Sequence, residues 1–549
     1  MKADWQRLNP GGLLIAAAFV LVLAAPLALR PKSGQTAKDA LTLVIVTPHN
    51  EATRYEFARA FDAFYFHKHG RHVRIDWRMP GGTSEIARYL ASEYVAAFQN
   101  HWINGLHQPW NAEVQAAFDN PKAPADNSPA GKARKAFLDS EVGCGIDLFF
   151  GGGSFDLSAQ ATAGRLVDCG VIAAHPEIFN EKVIPQTVGG EPYWDPHGRW
   201  IGACLASFGI CYNTDVLRML KIDHPPGQWS DLADPRYFGQ LALANPTQSG
   251  SVAKAFEMLI QQQMLMLAKQ IQKMSVAGSR PPPEVKKQMD AMAAQGWINA
   301  MQLIQKISAN ARYFTDSGTK VPFDVESGNA AAGMCIDFYG RFESEAVRKS
   351  DGSSRMHYIT PAGGSSVGVD PIGMFRGAPH PGLAREFIEF VISLDGQTLW
   401  NWKIGTPGGP ERYALRRLPV RPELYDRIFT IYRSDQEAQP YKEANMFQYH
   451  DQWTSPLFRV ISFIVRAMCI DPHDEMRDAW QALVASHFPP EAMKSFLDVS
   501  KVDYAAASGT IRDTLRSPQK IDEMRLSESL TESFRAQYRK AADLAREGK

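Results

Sequence analysis

Cysteine is scarce: six in 549 residues, at Cys144, Cys169, Cys204, Cys211, Cys335 and Cys469. No two stand in C-x-x-C spacing, which argues against a zinc ribbon or a thioredoxin-like redox motif. Neither charge is in excess, with 59 Lys and Arg against 59 Asp and Glu. A nucleic-acid binder needs a basic face to meet phosphates, so this balance argues against one. The chain also lacks H-E-x-x-H and G-x-x-x-x-G-K-[ST]. Metalloprotease and P-loop chemistry need those spacings to bring metal or phosphate to the reacting atoms. Three consecutive glycines, Gly151 to Gly153, do not have dinucleotide-binding spacing. With no catalytic constellation evident, binding is the expected role, catalysis is a weaker reading, and no cofactor or metal is expected.

What is present begins with an apolar run. Lys2 and Arg7 precede residues 11–29, which carry no charge. This is the pattern of a signal peptide or an N-terminal membrane anchor. Pro26 disturbs any A-x-A cleavage site, and no cysteine follows to accept a lipid. Export is expected, with cleavage and retention as a tether both open. Residues 1–40 are therefore read as signal or anchor plus linker, and the rest as extracytoplasmic. Export would expose the thiols to an oxidising compartment. Cys204 and Cys211 flank one predicted strand at an odd separation, so their side chains point to opposite faces and are not paired.

Beyond residue 40 the pattern alternates. Residues 41–46 are an apolar, partly β-branched run, and Phe57, Phe61 and Phe64 then recur at helical spacing. Residues 73–78 read as a second strand, 85–98 as a helix, 146–150 as a strand and 201–212 as one long strand or a pair. Strand–loop–helix alternation indicates an α/β fold. Met and Gln dominate residues 261–295, which read as an inserted helical pair whose Met stripe packs in a core. Residues 421–549 read as a long helical extension.

One stretch is more specific. Tyr212, Asn213, Thr214 and Asp215 are followed by Trp229, Ser230, Asp231, Leu232, Ala233, Asp234 and Pro235, then by Asn245, Pro246, Thr247, Gln248, Ser249, Gly250 and Ser251. This order, with Asp370, Pro371 and Ile372 in a later strand, resembles the extracellular solute-binding proteins of ABC importers, in the ferric-iron, thiamine and phospho-solute group. The resemblance covers about residues 41–420. It implies the type II periplasmic-binding-protein fold: lobe 1 from 41–208 and 368–420, lobe 2 from 209–367, two crossing strands, and a cleft that closes on a solute. It also implies a membrane permease as partner and a monomeric receptor.

Four loops could supply that cleft, because each ends in a predicted helix start. Free N–H groups and the helix dipole make such starts anion-binding. The first offers Gly82, Thr83 and Ser84; the second Gly152, Gly153 and Ser154; the third Ser249, Gly250 and Ser251; the fourth Asp337 with Tyr339. The same residue types are ordinary helix caps, so each loop alone says little. In open α/β sheets ligands sit beyond the carboxyl ends of strands, where three of these loops lie. Thr47, His49 and Asn50 follow the first strand, and Ser207 lies at the first crossing; these complete the expected set. An oxyanionic or phosphorylated solute fits it best.

A ferric or other metal receptor is the alternative, with Glu51, Glu85, His49 and Tyr339 as donors. Ferric members of the group carry adjacent tyrosines, whereas Phe338 precedes Tyr339 here. A signalling or structural protein with a repurposed cleft is a second alternative, suggested by the extension. Trp200, Tyr212 and Trp229 could stack on a thiamine-like ring, though core packing is their commoner role.

Overall fold

The computed structural model describes residues 40–272, 283–517 and 519–549, together with Phe19. The expected export segment therefore lies almost wholly outside the described residues, as do Pro281 and Pro282 in the Met- and Gln-rich region.

Strands alternate with helices up to the first crossing. β1 (Leu41–Val46), α1 (Glu51–His69), β2 (Val73–Arg78), α2 (Thr83–Asn100), β3 (Leu148–Phe150) and α3 (Ser154–Ala163) follow in order. α1 is delimited by local chemistry. The Asn50 side chain accepts from Thr53 N at 3.1 Å, and Gly70 ends the helix in the left-handed region at φ 68°. β4 (Leu166–Val167), a hairpin of β5 (Thr187–Val188) and β6 (Glu191–Pro192), and β7 (Ile201–Ala206) complete this part.

β8 (Phe208–Asn213) starts a second sheet. It continues with β9 (Leu241–Ala244), α4 (Gly250–Gln272), α5 (Pro283–Ala309), β10 (Ala311–Thr315), β11 (Ala332–Ile336), α6 (Asp337–Ala346) and β12 (Met356–Ile359). The chain then returns to the first sheet through β13 (Gly368–Phe375), α7 (Pro381–Ile392), α8 (Leu394–Asn401) and β14 (Leu418–Pro419). The first sheet has the order β14-β7-β13-β3-β1-β2, with β4 also on β13; the second has β10-β9-β11-β8-β12. β1 runs parallel to β2 and β3, while β13 is antiparallel to β3 and β7. Every residue of β7, β9 and β11 is buried, as expected for strands covered on both faces.

Each sheet nucleates its own core, and we refer to the two bodies as lobes 1 and 2. The lobe 1 core includes Phe57, Phe61, Phe150, Ile372 and Trp400, and reaches Ala438 and Ala444. The lobe 2 core includes Ile210, Trp229, Met258, Met264, Trp297 and Met301, and continues without a break through Phe447, Ile461, Trp480, Phe496 and Tyr538. Residues after 420 are thus divided. Those up to about 444 pack on lobe 1, where Tyr425 Oη donates to Pro419 O at 2.8 Å. Those from 447 onward are fused to lobe 2.

Three buried hydrogen bonds tie that fusion. Trp297 Nε1 donates to Val502 O at 2.9 Å, Gln305 Nε2 to Phe496 O at 3.0 Å, and Trp480 Nε1 to Asn310 Oδ1 at 2.9 Å. The chain therefore passes between lobes a third time, near residues 444–447. The fused part contains α9 (Phe458–Val465), α10 (His473–Ala485) and α11 (Lys520–Arg546). Among the described residues, Asp451–Ile470 is one helical run long and apolar enough to cross a membrane, but its residues Val460, Ile461, Ile464 and Val465 lie in the lobe 2 core.

The six cysteines are unpaired. Trp200 and Trp229 are buried, the latter donating from Nε1 to Gly364 O at 2.7 Å; Tyr212 stacks on His357. These three rings are packing elements and do not reach the cleft described next.

Candidate functional site

A cleft of about 2160 Å³ opens between the lobes. Three of the four expected helix starts converge on it. α2 contributes Gly82, Thr83 and Ser84; α3 contributes Gly152, Gly153 and Ser154; α4 contributes Ser249, Gly250 and Ser251. The α2 start has no side-chain cap, so its first N–H groups remain available. At α3, Asp156 Oδ2 accepts from Gly153 N at 3.1 Å, and burial raises this carboxyl to about 6. At α4 the hydroxyls of Ser249 and Ser251 lie 3.2 Å apart. The lobes meet here: a Cβ added to Gly250 would stand 2.7 Å from Thr83 Oγ1, so glycine permits this approach.

His49 lies at the inner end of the cleft. Its ring is 4% exposed and packs edge-on against Phe150, with centroids 4.6 Å apart. Gly151, at φ 96°, makes room for it; a Cβ there would fall 2.6 Å from His49 Nε2. Nε2 stands 3.8 Å from Asp370 Oδ2, beyond hydrogen-bond reach, and neither ring nitrogen has a hydrogen-bond partner among the described residues. Burial lowers the imidazole to about 4, with Arg417 adding to the effect and Asp370 opposing it. The ring is therefore neutral at physiological pH, with one N–H donor and one acceptor nitrogen to offer.

Asp370 accepts a charge-assisted hydrogen bond from Arg417, whose guanidinium lies 3.5 Å from the centroid of Phe338. Phe338 thus supports a cation with its ring face. Tyr339 lies beside it on the cleft.

Four expected residues do not line the cleft. Thr47 is fully buried and turns its hydroxyl to accept from His49 N at 3.0 Å, which holds the loop shape. Asn50 spends its side chain capping α1. Ser207 Oγ is buried against Thr360 Oγ1 at 3.1 Å. Asp337 is fully buried behind the cleft, with Arg341 Nη2 3.6 Å away; burial raises its carboxyl to about 7, and Arg341 opposes that shift. Local capping chemistry uses up the polar atoms of Thr47 and Asn50, and crossing geometry turns Ser207 and Asp337 away. Of the alternative iron donors, His49, Glu85 and Tyr339 line the cleft. Glu85 pairs with Arg88 at 2.6 Å, Glu51 is exposed, and no group of three His, Cys, Asp or Glu side chains is placed for a metal among the described residues.

The sequence reading missed several lining residues. Lys254, one turn into α4, sits over the ring of Tyr449 at 4.0 Å and pairs with Glu191 and Glu257. Its i+4 spacing from Gly250 on a helix was a usable signal. Arg417 and the residues beyond 447 had none. Gly364, Ser365, Ser366, Val367 and Gly368 also spell G-x-S-x-G. This pentapeptide leads into β13 instead of joining a strand to a helix, and buried Ser366 donates from Oγ to Glu191 Oε1 at 2.6 Å. The context of a nucleophile elbow is absent.

The chain is similar to several known proteins. The family model described as bacterial extracellular solute-binding protein matches residues 146–417. An uncharacterized protein of Haemophilus influenzae is 24% identical over 263 residues, 47% of this chain and 61% of that protein. The phosphoglycerate transport regulatory protein PgtC of Salmonella typhimurium is 21% identical over 305 residues, 55% of this chain and 60% of that protein. The chain thus spans about 60% of the length of these curated relatives. Among solved structures, the periplasmic binding protein AfuA of Actinobacillus pleuropneumoniae, with fructose-6-phosphate bound, aligns at TM-score 0.40 and 16% identity, covering 65% of this chain and 82% of that one. Iron-bound HitA of Pseudomonas aeruginosa aligns at TM-score 0.44 and 16% identity, covering 77% and 99%. Over residues 146–417, just under half of its length, this chain is similar to the bacterial extracellular solute-binding protein family.

Proposed function

We propose that the chain is an extracytoplasmic receptor that captures a small oxyanionic or phosphorylated solute between its lobes and delivers it to an ABC permease. The observation that carries this is the convergence of three helix starts, at Thr83, Ser154 and Gly250, on one cleft. Their N–H groups and dipoles favour negative charge. Most charged side chains around them are already paired, as Glu85 with Arg88, Asp370 with Arg417, and Glu191 with Lys254. The starts of α2 and α4 therefore supply free attraction for an anion, whereas at α3 Asp156 already accepts from Gly153 N. Ligand contacts are assigned to Gly82, Thr83, Ser84, Gly152, Gly153, Ser154, Ser249, Gly250, Ser251, Tyr339 and His49. The name of the Salmonella relative, which refers to phosphoglycerate transport, supports a phosphorylated solute. The receptor acts as a monomer in the periplasm, held near its permease by residues 1–40 if these are retained.

Native mass spectrometry of the purified protein, followed by release and identification of any bound small molecule, tests the reading. An oxyanion that raises the melting temperature on re-addition supports it. A bound cation or apolar molecule, or turnover of the solute, would overturn it.

A second reading has one observation in its favour. The same relative is named as regulatory, and residues 447–549 of this chain enlarge lobe 2 beyond the family match, which ends at residue 417. In that reading the cleft senses the solute and the extension reports its occupancy to a membrane partner. Solute uptake that survives deletion of the gene, together with lost induction of transport, would favour it.

A further inference from the structure

We propose that the C-terminal helices form a third wall of the solute site, and that the site accepts an elongated, hydroxyl-bearing anion. This rests on the receptor reading above and extends it to the size and chemistry of the solute.

Two helical faces carry the argument. Along α11, Lys520, Glu523, Ser527, Thr531 and Arg535 line the same cleft as the three helix starts. Their spacing of three or four residues is that of one helix face, about 22 Å long. Ser455, Arg459 and Ser462 line it from the α9 side. Neither helix lies within the family match, which ends at residue 417. Phe458 of α9 packs on Phe155, the second residue of α3, with ring centroids 4.7 Å apart. The extension therefore touches lobe 1 beside one of the helix starts, while its own core belongs to lobe 2.

Size points the same way. Pockets that bury a small ligand run to about 300–1,000 Å³. This cleft, at about 2160 Å³, is larger than an inorganic oxyanion needs. The wall also presents hydroxyls: Ser455 and Ser527 line the cleft half-buried, while the Thr531 hydroxyl is enclosed within the wall.

Chemistry narrows the class. The cations of the wall are engaged, since Glu523 Oε2 takes both Arg459 Nη2 at 2.6 Å and Lys520 Nζ at 3.2 Å. Glu528 is exposed on the same lining and has no ion pair among the described residues. A second anionic group there would be repelled, and an apolar body would leave the wall's polar groups unpaired. Hydroxyl groups, which both donate and accept, suit carboxylates, arginines and serines together. The anionic end then rests on the helix starts and the hydroxylated body on α9 and α11.

Titration calorimetry on the full chain tests this with two probes, inorganic phosphate and glucose 6-phosphate. In the wild type, glucose 6-phosphate should bind about tenfold more tightly, or better, because several extra hydrogen bonds form. The double variant Ser455→Ala with Ser527→Ala should remove most of that advantage and leave phosphate binding unchanged. Both serines are half-buried on the wall, so the variant is expected to fold; Ser527→Ala alone serves if it does not. Equal affinity for the two probes, or an advantage that the variants leave intact, overturns the third wall while the oxyanion receptor stands. Binding of neither probe removes both.

Discussion

Glu191 Oε1 and Lys254 Nζ lie 3.0 Å apart, and they belong to different lobes. Glu191 is on the hairpin of lobe 1 and Lys254 on α4 of lobe 2. Lys254 also meets Glu257 Oε2 at 3.0 Å, and Tyr449 Oη, just past the third crossing, donates to Glu257 Oε1 at 2.8 Å. One buried ion cluster thus joins both lobes and the extension.

Removing its cation should be costly. Lys254→Met leaves Glu191 and Glu257 buried and uncompensated, and breaking such a pair costs about 3–5 kcal/mol. Chemical denaturation should show a loss of that order. Lys254→Met combined with Glu191→Gln should recover part of it. A single variant as stable as the wild type would show that the cluster does not hold the lobes.

The third helix start carries a binding prediction. Ser249→Ala with Ser251→Ala removes two hydroxyls from the start of α4. Hydrogen bonds to a charged group are worth about 1.5–3 kcal/mol, so affinity for the co-purified solute should fall by that amount. The melting temperature of the free protein should hardly change, because the two hydroxyls contact each other at 3.2 Å and not the core. Unchanged affinity would remove this loop from the site.

Asp337 makes a pH prediction. Burial raises its carboxyl from 3.8 to about 7, so between those values the folded state holds a proton that the unfolded state has released. Its contribution to stability is therefore greatest below about pH 4 and declines as pH rises towards 7. Asp337→Asn abolishes this decline. Denaturation midpoints of variant and wild type should diverge with rising pH in favour of the variant. Parallel profiles would mean that Asp337 ionises normally.

Ferric iron should not bind tightly. Phe338 stacks under Arg417 where a second phenolate would be needed. Adding ferric citrate should give no strong tyrosinate charge-transfer band. A band that disappears in Tyr339→Phe would reverse this conclusion.

Closure can be followed by distance. Spectroscopic labels at Arg88 and Lys320, on exposed positions of opposite lobes, should come closer when solute binds. A ligand shifts an open–closed equilibrium by its differential affinity for the two states. Tight binding with a fixed distance would place the solute within one lobe or show a preformed cleft.

The local units are legible from the order of residues alone. β-branched runs, helical spacing and caps such as Asn50 and Gly70 act over a few residues, so they are readable without knowing the rest of the chain. The same holds for the helix starts at Thr83, Ser154 and Gly250, which the glycines and hydroxyl residues around them mark locally. What the tertiary structure decided are long-range meetings. Arg417 reaches Asp370, Glu191 reaches Lys254, and α11 turns a face to a cleft formed hundreds of residues earlier. Nothing near Asp337 or Ser207 in sequence signals that they turn away from that cleft. The extension read as a uniform helical tail, yet it divides at residues 444–447, because apolar residues on either side of that point serve different cores. Periodicity shows that a face will be buried; only packing determines against which partner.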